Sequence, residues 1–210
     1  MSGRQMADHW WWRPGWHVGR RFYAWHLTFP GPEAADLHRL AAEYRAALKP
    51  LPGLDVIPDE WLHLTMQGLG FIDEVDSGDV DAIVEAARIR LAGVAPFILE
   101  FDRPVIDPEA VLWRVDPTGP GAVRDAIRAA IGDVWPTVPE AADGFVAHVS
   151  AAYSNSDGPQ AAVREALDRV EAAPATVRIG EAQLIVMHRD NRMYEWTTYA
   201  SIPLGTAREA

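Results

Sequence analysis

The chain of 210 residues has no cysteine. That excludes disulfides and thiolate-bound metals, and it fits a cytoplasmic protein. No apolar run approaches the roughly eighteen residues of a membrane span, so no membrane partner is expected. The first twenty residues are polar and Trp-rich and lack the continuous apolar segment of a secretory signal. Lysine is scarce beside alanine and arginine, a composition of GC-rich bacterial genomes. Basic charge is short as well: 19 Lys and Arg stand against 30 Asp and Glu, a formal net charge of −11. Proteins that grip long nucleic acid usually carry a basic face. No long duplex partner is therefore expected, and a small anionic substrate in a local pocket is favoured. Apolar residues are plentiful at 49%, enough to fill one domain or two small lobes.

Apolar and polar positions alternate over 21–29, with Tyr23, Trp25, Leu27 and Phe29 on one face and Phe22, Ala24, His26 and Thr28 on the other. This predicts a strand. A helix follows over 33–48, then a strand over 61–68, a helix ending near Ala92, and a strand at "APFILEF". The segment "DRPVIDPE" reads as a turn-rich connection. The order then recurs. "AVLWRV" is a strand, "GPGAVRDAIRAAIGDV" a helix, "FVAHVSAAY" a strand, and "GPQAAVREALDRVEAA" a helix. "ATVRIGEAQLIVMH" holds one or two strands, and "MYEWTTYASIPL" is the last. Two strand–helix–strand–helix–strand halves predict an α+β fold of two lobes related by approximate two-fold symmetry. The chain divides into a Trp-rich arm (1–20), one bilobal domain (21–205) with interleaved lobes of about 21–109 and 110–205, and a tail (206–210). A monomer is expected.

Three segments share one spelling, a His, a spacer, and Thr or Ser: "WHLTFP", "LHLTMQG" and "AHVSAAY". With 7 His in the chain, chance supplies about half a match, so one alone says little. His63 and His148, however, fall on the second strand of each half, whereas His26 has no counterpart. On a strand of period two, His63 and Thr65 share a face, as do His148 and Ser150, while the intervening residues turn to the core. Facing lobes would bring two imidazoles and two hydroxyls to one cleft. One imidazole then accepts a proton while the other donates one, and the hydroxyls hold an anion. Phosphodiester transfer or hydrolysis fits, with no metal or cofactor required.

"WLHLTMQGLG" and "FVAHVSAAY", flanked by "RRFYAWHLTFP", "APFILEF…VLWRVDP" and "MYEWTTYASIPLG", resemble the two-histidine phosphoesterase superfamily, in its 2′–5′ RNA ligase-like or cyclic nucleotide phosphodiesterase-like branch. The likeness runs from Arg21 to Gly205. It implies two antiparallel sheets facing a water-filled cleft, with helices outside. It also implies a catalytic tetrad of His63, Thr65, His148 and Ser150 acting without a metal on 2′–5′ linkages, 2′,3′-cyclic phosphates or related cyclic phosphates. Many relatives carry a cation soon after each motif. Here Gln67 and Gly68 follow the first, and Ala151, Ala152 and Tyr153 the second. Arg114, Arg189 or Arg192 would then supply the positive charge. Two other readings stay open: a nucleotide-binding module without catalysis, and an enzyme of this fold acting on a non-RNA phosphoester.

Further candidates for substrate contact are His26, Gln67, Phe71, Tyr153 and Tyr194. His26 is either a polar group lining the cleft or a histidine bonded into a sheet edge. Phe71 and Tyr153 are nucleobase platforms or ordinary core. Arg189 and Arg192 form a phosphate clamp or part of a polar turn. The arm "HWWWRPGWH" could stack on a base or shield the cleft. The large area a Trp buries wherever it docks favours pinning it to the outside of a lobe.

Overall fold

The structure, a computed structural model, describes residues 5–205. The expected tail and the first four residues of the arm lie outside the described residues. In chain order the elements are β1 (Gln5–Met6), β2 (Phe22–Thr28), α1 (Ala35–Leu48), β3 (Leu54–Val56), β4 (His63–Phe71), α2 (Ser77–Leu91), β5 (Phe97–Phe101), β6 (Val105–Asp107), β7 (Ala110–Arg114), α3 (Thr118–Gly132), β8 (His148–Ser154), β9 (Gly158–Pro159), α4 (Ala161–Asp168), β10 (Ala175–Ile179), β11 (Glu181–His188) and β12 (Glu195–Pro203).

Local chemistry sets these bounds. Helix α1 buries Leu37, Leu40, Ala41, Tyr44 and Leu48 on one stripe, and Pro50 cannot continue it. Helix α2 starts where the Asp76 carboxylate accepts from the Gly78 and Asp79 amides, at 2.8 and 3.2 Å, which satisfies two otherwise orphaned donors. The helix expected across 158–173 is shorter, because Gly158 and Pro159 instead pair with Met6 and Gln5. The connection "DRPVIDPE" contains a strand, β6, which pairs with β7.

Two four-stranded antiparallel sheets dominate. One has the order β12-β11-β2-β4, the other β3-β8-β7-β6. Each takes strands from both halves of the chain. Strands β5 and β10 form a third antiparallel pair, and β1 and β9 a fourth. The α+β, bilobal architecture is the expected one. The helices swap sides: α1 follows β2 of the first sheet yet packs against β3 and β8 of the second, and α3 follows β7 of the second yet packs against β4 of the first. This exchange ties the lobes into one continuous apolar core. It also fixes β4 and β8, the strands that carry the two matched motifs, against each other. Among the described residues, no helix is long and apolar enough to cross a membrane.

Candidate active site

Strands β4 and β8 are built alike. Leu62, Leu64 and Met66 are buried on one side, as are Ala147, Val149 and Ala151 on the other strand. That leaves His63 and Thr65, and His148 and Ser150, on the cleft faces. Both strands then break step at the same place. Thr65 opposes His26 while Gln67 opposes Trp25, so Met66 is extra. Ser150 opposes Leu112 while Ala152 opposes Val111, so Ala151 is extra. Each bulge sits one residue beyond the hydroxyl and reverses which later side chains face the cleft.

The consequences for two candidates are opposite. Tyr153, which strict alternation would turn to the core, lines the cleft. Gln67, which alternation would keep beside Thr65, is carried to the back of the sheet. There it accepts from Arg128 Nη1 at 2.6 Å and donates to the Pro139 carbonyl at 2.7 Å, fully buried and away from the histidines.

The imidazoles are held in matching fashion. His63 Nδ1 lies 2.8 Å from the Trp61 carbonyl, and His148 Nδ1 lies 2.7 Å from that of Val146. A carbonyl only accepts, so Nδ1 carries the hydrogen in both rings and Nε2 is left for chemistry. His63, Thr65, His148 and Ser150 line one cavity of about 190 Å³. His9, Tyr153, Met187 and Tyr194 complete its walls.

Their surroundings differ. His63 is only 8% exposed, and His26 stacks flat on it with ring centroids 4.4 Å apart and planes 4° apart. The edge contacts of Trp196 and Tyr194 close in at 5.3 and 5.8 Å. Burial pushes the His63 pKa down from 6.5 to about 4; the Trp61 carbonyl opposes this and His148 adds to it. His148 is half-buried and Thr65 exposed, whereas Ser150 is 6% exposed.

His26 does face the cleft side of its strand, but it is fully buried beneath His63. Strand β2 is interior to its sheet, so His26 is not at an edge either. Its Nε2 approaches Thr65 Oγ1 at 3.4 Å. Burial first, and His63 second, hold it well below the ordinary imidazole pKa.

The arm supplies a residue that sequence reasoning did not single out. His9 stacks on Tyr153 at 4.3 Å and 15°. Its Nδ1–H donates to Glu109 at 3.0 Å, and its Nε2 accepts from the Tyr194 hydroxyl at 2.9 Å. Burial, then the Arg13 and Arg189 cations, push its pKa to about 3. The Glu109 carboxylate does not reverse this, because Arg13 already neutralises it at 2.9 Å. The available signal was a lone pair of histidines inside a Trp cluster. His9 lines the cleft and Trp10 is buried beside it against Tyr153 and Tyr194, contrary to the expectation that the arm is pinned to the outside of a lobe. Burial also raises the Tyr153 phenol, against a hydrogen bond with Ser150.

The expected cations separate. Arg189 is 3% exposed and donates to the His9 carbonyl at 2.9 Å, its guanidinium lying over Trp10 and Tyr194. It holds the arm and does not line the cavity. Arg192 is exposed on a positive-φ turn, 3.8 Å from Asp55. Arg114 stands directly opposite His148 across β7 and β8, so the two side chains leave the same face. It is exposed. Phe71 lies at the far end of β4, stacked by Arg20 at 3.6 Å and packed on Trp16 and Phe22, outside the cavity. Among the described residues no three His, Asp or Glu side chains converge to hold a metal ion.

Comparison with known proteins agrees with this fold. Similar solved structures include TT0787 of Thermus thermophilus, with a TM-score of 0.66 and 17% identity over 90% of this chain and 100% of that one. Apo LigT of E. coli matches with a TM-score of 0.60 and 15% identity over 89% and 98%. LigT complexed with 3′-AMP gives 0.63 and 15% over 89% and 99%. At such identities these likenesses speak to the fold alone. No curated protein matches the sequence significantly. The family model of the 2′-5′ RNA ligase superfamily matches residues 29–191, a span that contains β4 and β8 with their matched H-x-[ST] motifs. The chain belongs to the 2′–5′ RNA ligase superfamily, within the two-histidine phosphoesterases.

Proposed function

We propose that the protein is a phosphodiesterase that needs no metal and works by paired-histidine acid–base catalysis on a small nucleotide-type phosphodiester. A 2′,3′-cyclic phosphate, a 2′–5′ linkage or a related cyclic phosphate is the expected substrate class. The supporting observation is the pair of imidazoles, each anchored through Nδ1 to the carbonyl two residues earlier, sharing one cavity with two hydroxyls. E. coli LigT, solved with 3′-AMP and with phosphate, brings ligands of the same chemistry to this fold. The cysteine-free composition suits a cytoplasmic enzyme.

The environments assign the roles. Burial keeps His63 neutral at pH 7, so its Nε2 is the base. It takes the proton of the attacking water or ribose hydroxyl as the new P–O bond forms. His148 Nε2–H gives its proton to the oxygen that leaves as the old P–O bond breaks. His148 is the less buried of the two rings. Thr65 and Ser150 hydroxyls donate to the non-bridging oxygens, where negative charge grows. Arg114, on the face of His148, is the cation of the candidate set best placed for the rest of an anion.

The test is product detection over a panel of cyclic nucleotides, 2′–5′ oligonucleotides and cyclic ADP-ribose phosphates, with His63→Ala as control. Turnover that vanishes in the variant and survives EDTA is expected. Loss with EDTA and recovery with zinc would sink the metal-free mechanism. One observation favours a binding module instead: among the described residues no Arg or Lys lines the cavity. Saturable nucleotide binding with no product after long incubation would select that reading.

A further inference from the structure

The cleft has two ends, and they are unlike. Beyond the hydroxyls, the arm crosses from one sheet to the other. Its Ala7 amide donates to the Pro108 carbonyl at 2.7 Å, and its His9 amide donates to Ser154, the last residue of β8, at 2.9 Å. Trp10 Nε1–H donates to Asp55 at 3.0 Å. The arm then reaches the first sheet. Arg189, just past β11, holds the His9 carbonyl, and Asp190 accepts from the Gly19 amide at 3.1 Å. Trp16 seats on Phe22 and Phe71 where β2 begins and β4 ends. The arm is therefore fastened on both sides, with Trp10 buried between them. The opposite end, before the two histidines, has no such cover among the described residues. Arg114 and Val146 are exposed there, and Trp196, which touches His63, opens onto a further cavity of about 440 Å³.

We propose that the arm is a fixed wall of the active site, with His9 as its substrate-facing surface, and that it restricts the enzyme to phosphodiesters with bulk on one side only. A linkage inside a chain carries a nucleotide on each bridging oxygen and needs two exits from the catalytic groups. This cleft offers one. Cyclic phosphates, whose two bridging oxygens belong to one nucleoside, satisfy that limit; linkages that join two nucleosides within a chain do not. The inference rests on the phosphodiesterase reading and narrows its substrate class.

The experiment compares kcat/KM for a 2′,3′-cyclic nucleotide with kcat/KM for a 2′–5′ linkage placed mid-oligonucleotide. It uses the full chain and a chain lacking residues 1–12. The internal-to-compact ratio should rise by at least about tenfold on deletion, and KM for the compact substrate should rise because His9 is gone. If thermal unfolding shows that the deletion does not fold, the Trp10→Ala/Arg189→Ala double variant of the full chain, which loosens the arm, is read in the same way. A ratio within about twofold of wild type in a folded variant overturns the proposal. So does a wild-type enzyme that cleaves both substrates equally. If wild type turns over nothing on the panel, the catalytic reading fails instead. The wall is then tested by tryptophan fluorescence titration with the same two ligands. Preference for the compact one, lost on opening the arm, supports it; equal binding in wild type sinks it.

Discussion

Strands β4 and β8 carry the same motif, the same bulge and the same carbonyl anchor, yet their polar groups are exposed in opposite order. On β4 the histidine is buried and the hydroxyl open; on β8 the histidine is half-open and the hydroxyl buried. Neither strand causes this by itself. His26 lies beneath His63, and Tyr194 and Trp196 wall it at the edges, all on or beside the first sheet. Tyr153, covered in turn by the arm's His9, shelters Ser150. Symmetry of backbone thus delivers two equivalent imidazoles, and asymmetry of cover sets apart the two roles that the proposed mechanism gives them.

The comparison is broken most severely at the imidazoles. His63→Ala and His148→Ala should each lower kcat by about 10²- to 10⁴-fold, the usual worth of a positioned proton-transfer group. Comparable losses in the two variants would show that backbone equivalence governs. The pH profile separates them. Activity should fall on the acid side as pH drops through about 4, where His63 becomes protonated and ceases to be a base. The acid limb should vanish from residual activity in His63→Ala and persist in His148→Ala.

The hydroxyls come next. Ser150 donates from a dry position and Thr65 from a wet one, and a hydrogen bond to growing charge strengthens where water is excluded. Ser150→Ala should therefore cost about 10²-fold in kcat, and Thr65→Ala nearer tenfold. A reversed order, read by single-turnover kinetics, would show that present exposure does not describe the loaded cleft.

Much of this was legible in the sequence. Period-two alternation around His63 and His148, repeated at equivalent places, gave the strands, their faces and the shared cavity. What it did not reveal followed from two kinds of long-range event. A bulge after each hydroxyl shifts parity by one, which removes Gln67 from the cleft and admits Tyr153. No local residue type announces it, since Met66 and Ala151 are ordinary strand residues. The arm was visible as a Trp cluster, but its place depends on partners such as Glu109, Ser154 and Arg189, distant in sequence. Arg189 was legible as a guanidinium near the last strand; that it grips a backbone carbonyl instead of phosphate is decided by that same arm.

The buried imidazoles also make the fold sensitive to acid. His9, His26 and His63 all have pKa values below the ordinary 6.5 in the folded chain. The unfolded chain therefore binds more protons below about pH 6.5, and stability present above that pH is lost on acidification. Each histidine steepens the loss by up to about 1.4 kcal/mol per pH unit. Thermal unfolding should show a falling Tm from pH 6.5 towards pH 4. A flat profile would mean that these rings are more hydrated than their burial implies.

The smallest effect tests whether His26 acts only as cover for His63. Its hydrogen bond to Thr65 is long at 3.4 Å, so losing that bond should matter little; the flat stack on His63 should matter more. His26→Phe keeps a ring in place and should change kcat by less than about tenfold, with the acid limb still near pH 4. His26→Ala removes the ring, and water entering behind His63 eases the burial that depresses its pKa. The limb should then move upward from about 4 towards 6.5. A limb that shifts equally in both variants would mean that the polar nitrogen of His26, and not its volume, tunes the base. A limb that moves in neither would leave the asymmetry between the two strands to Trp196 and Tyr194.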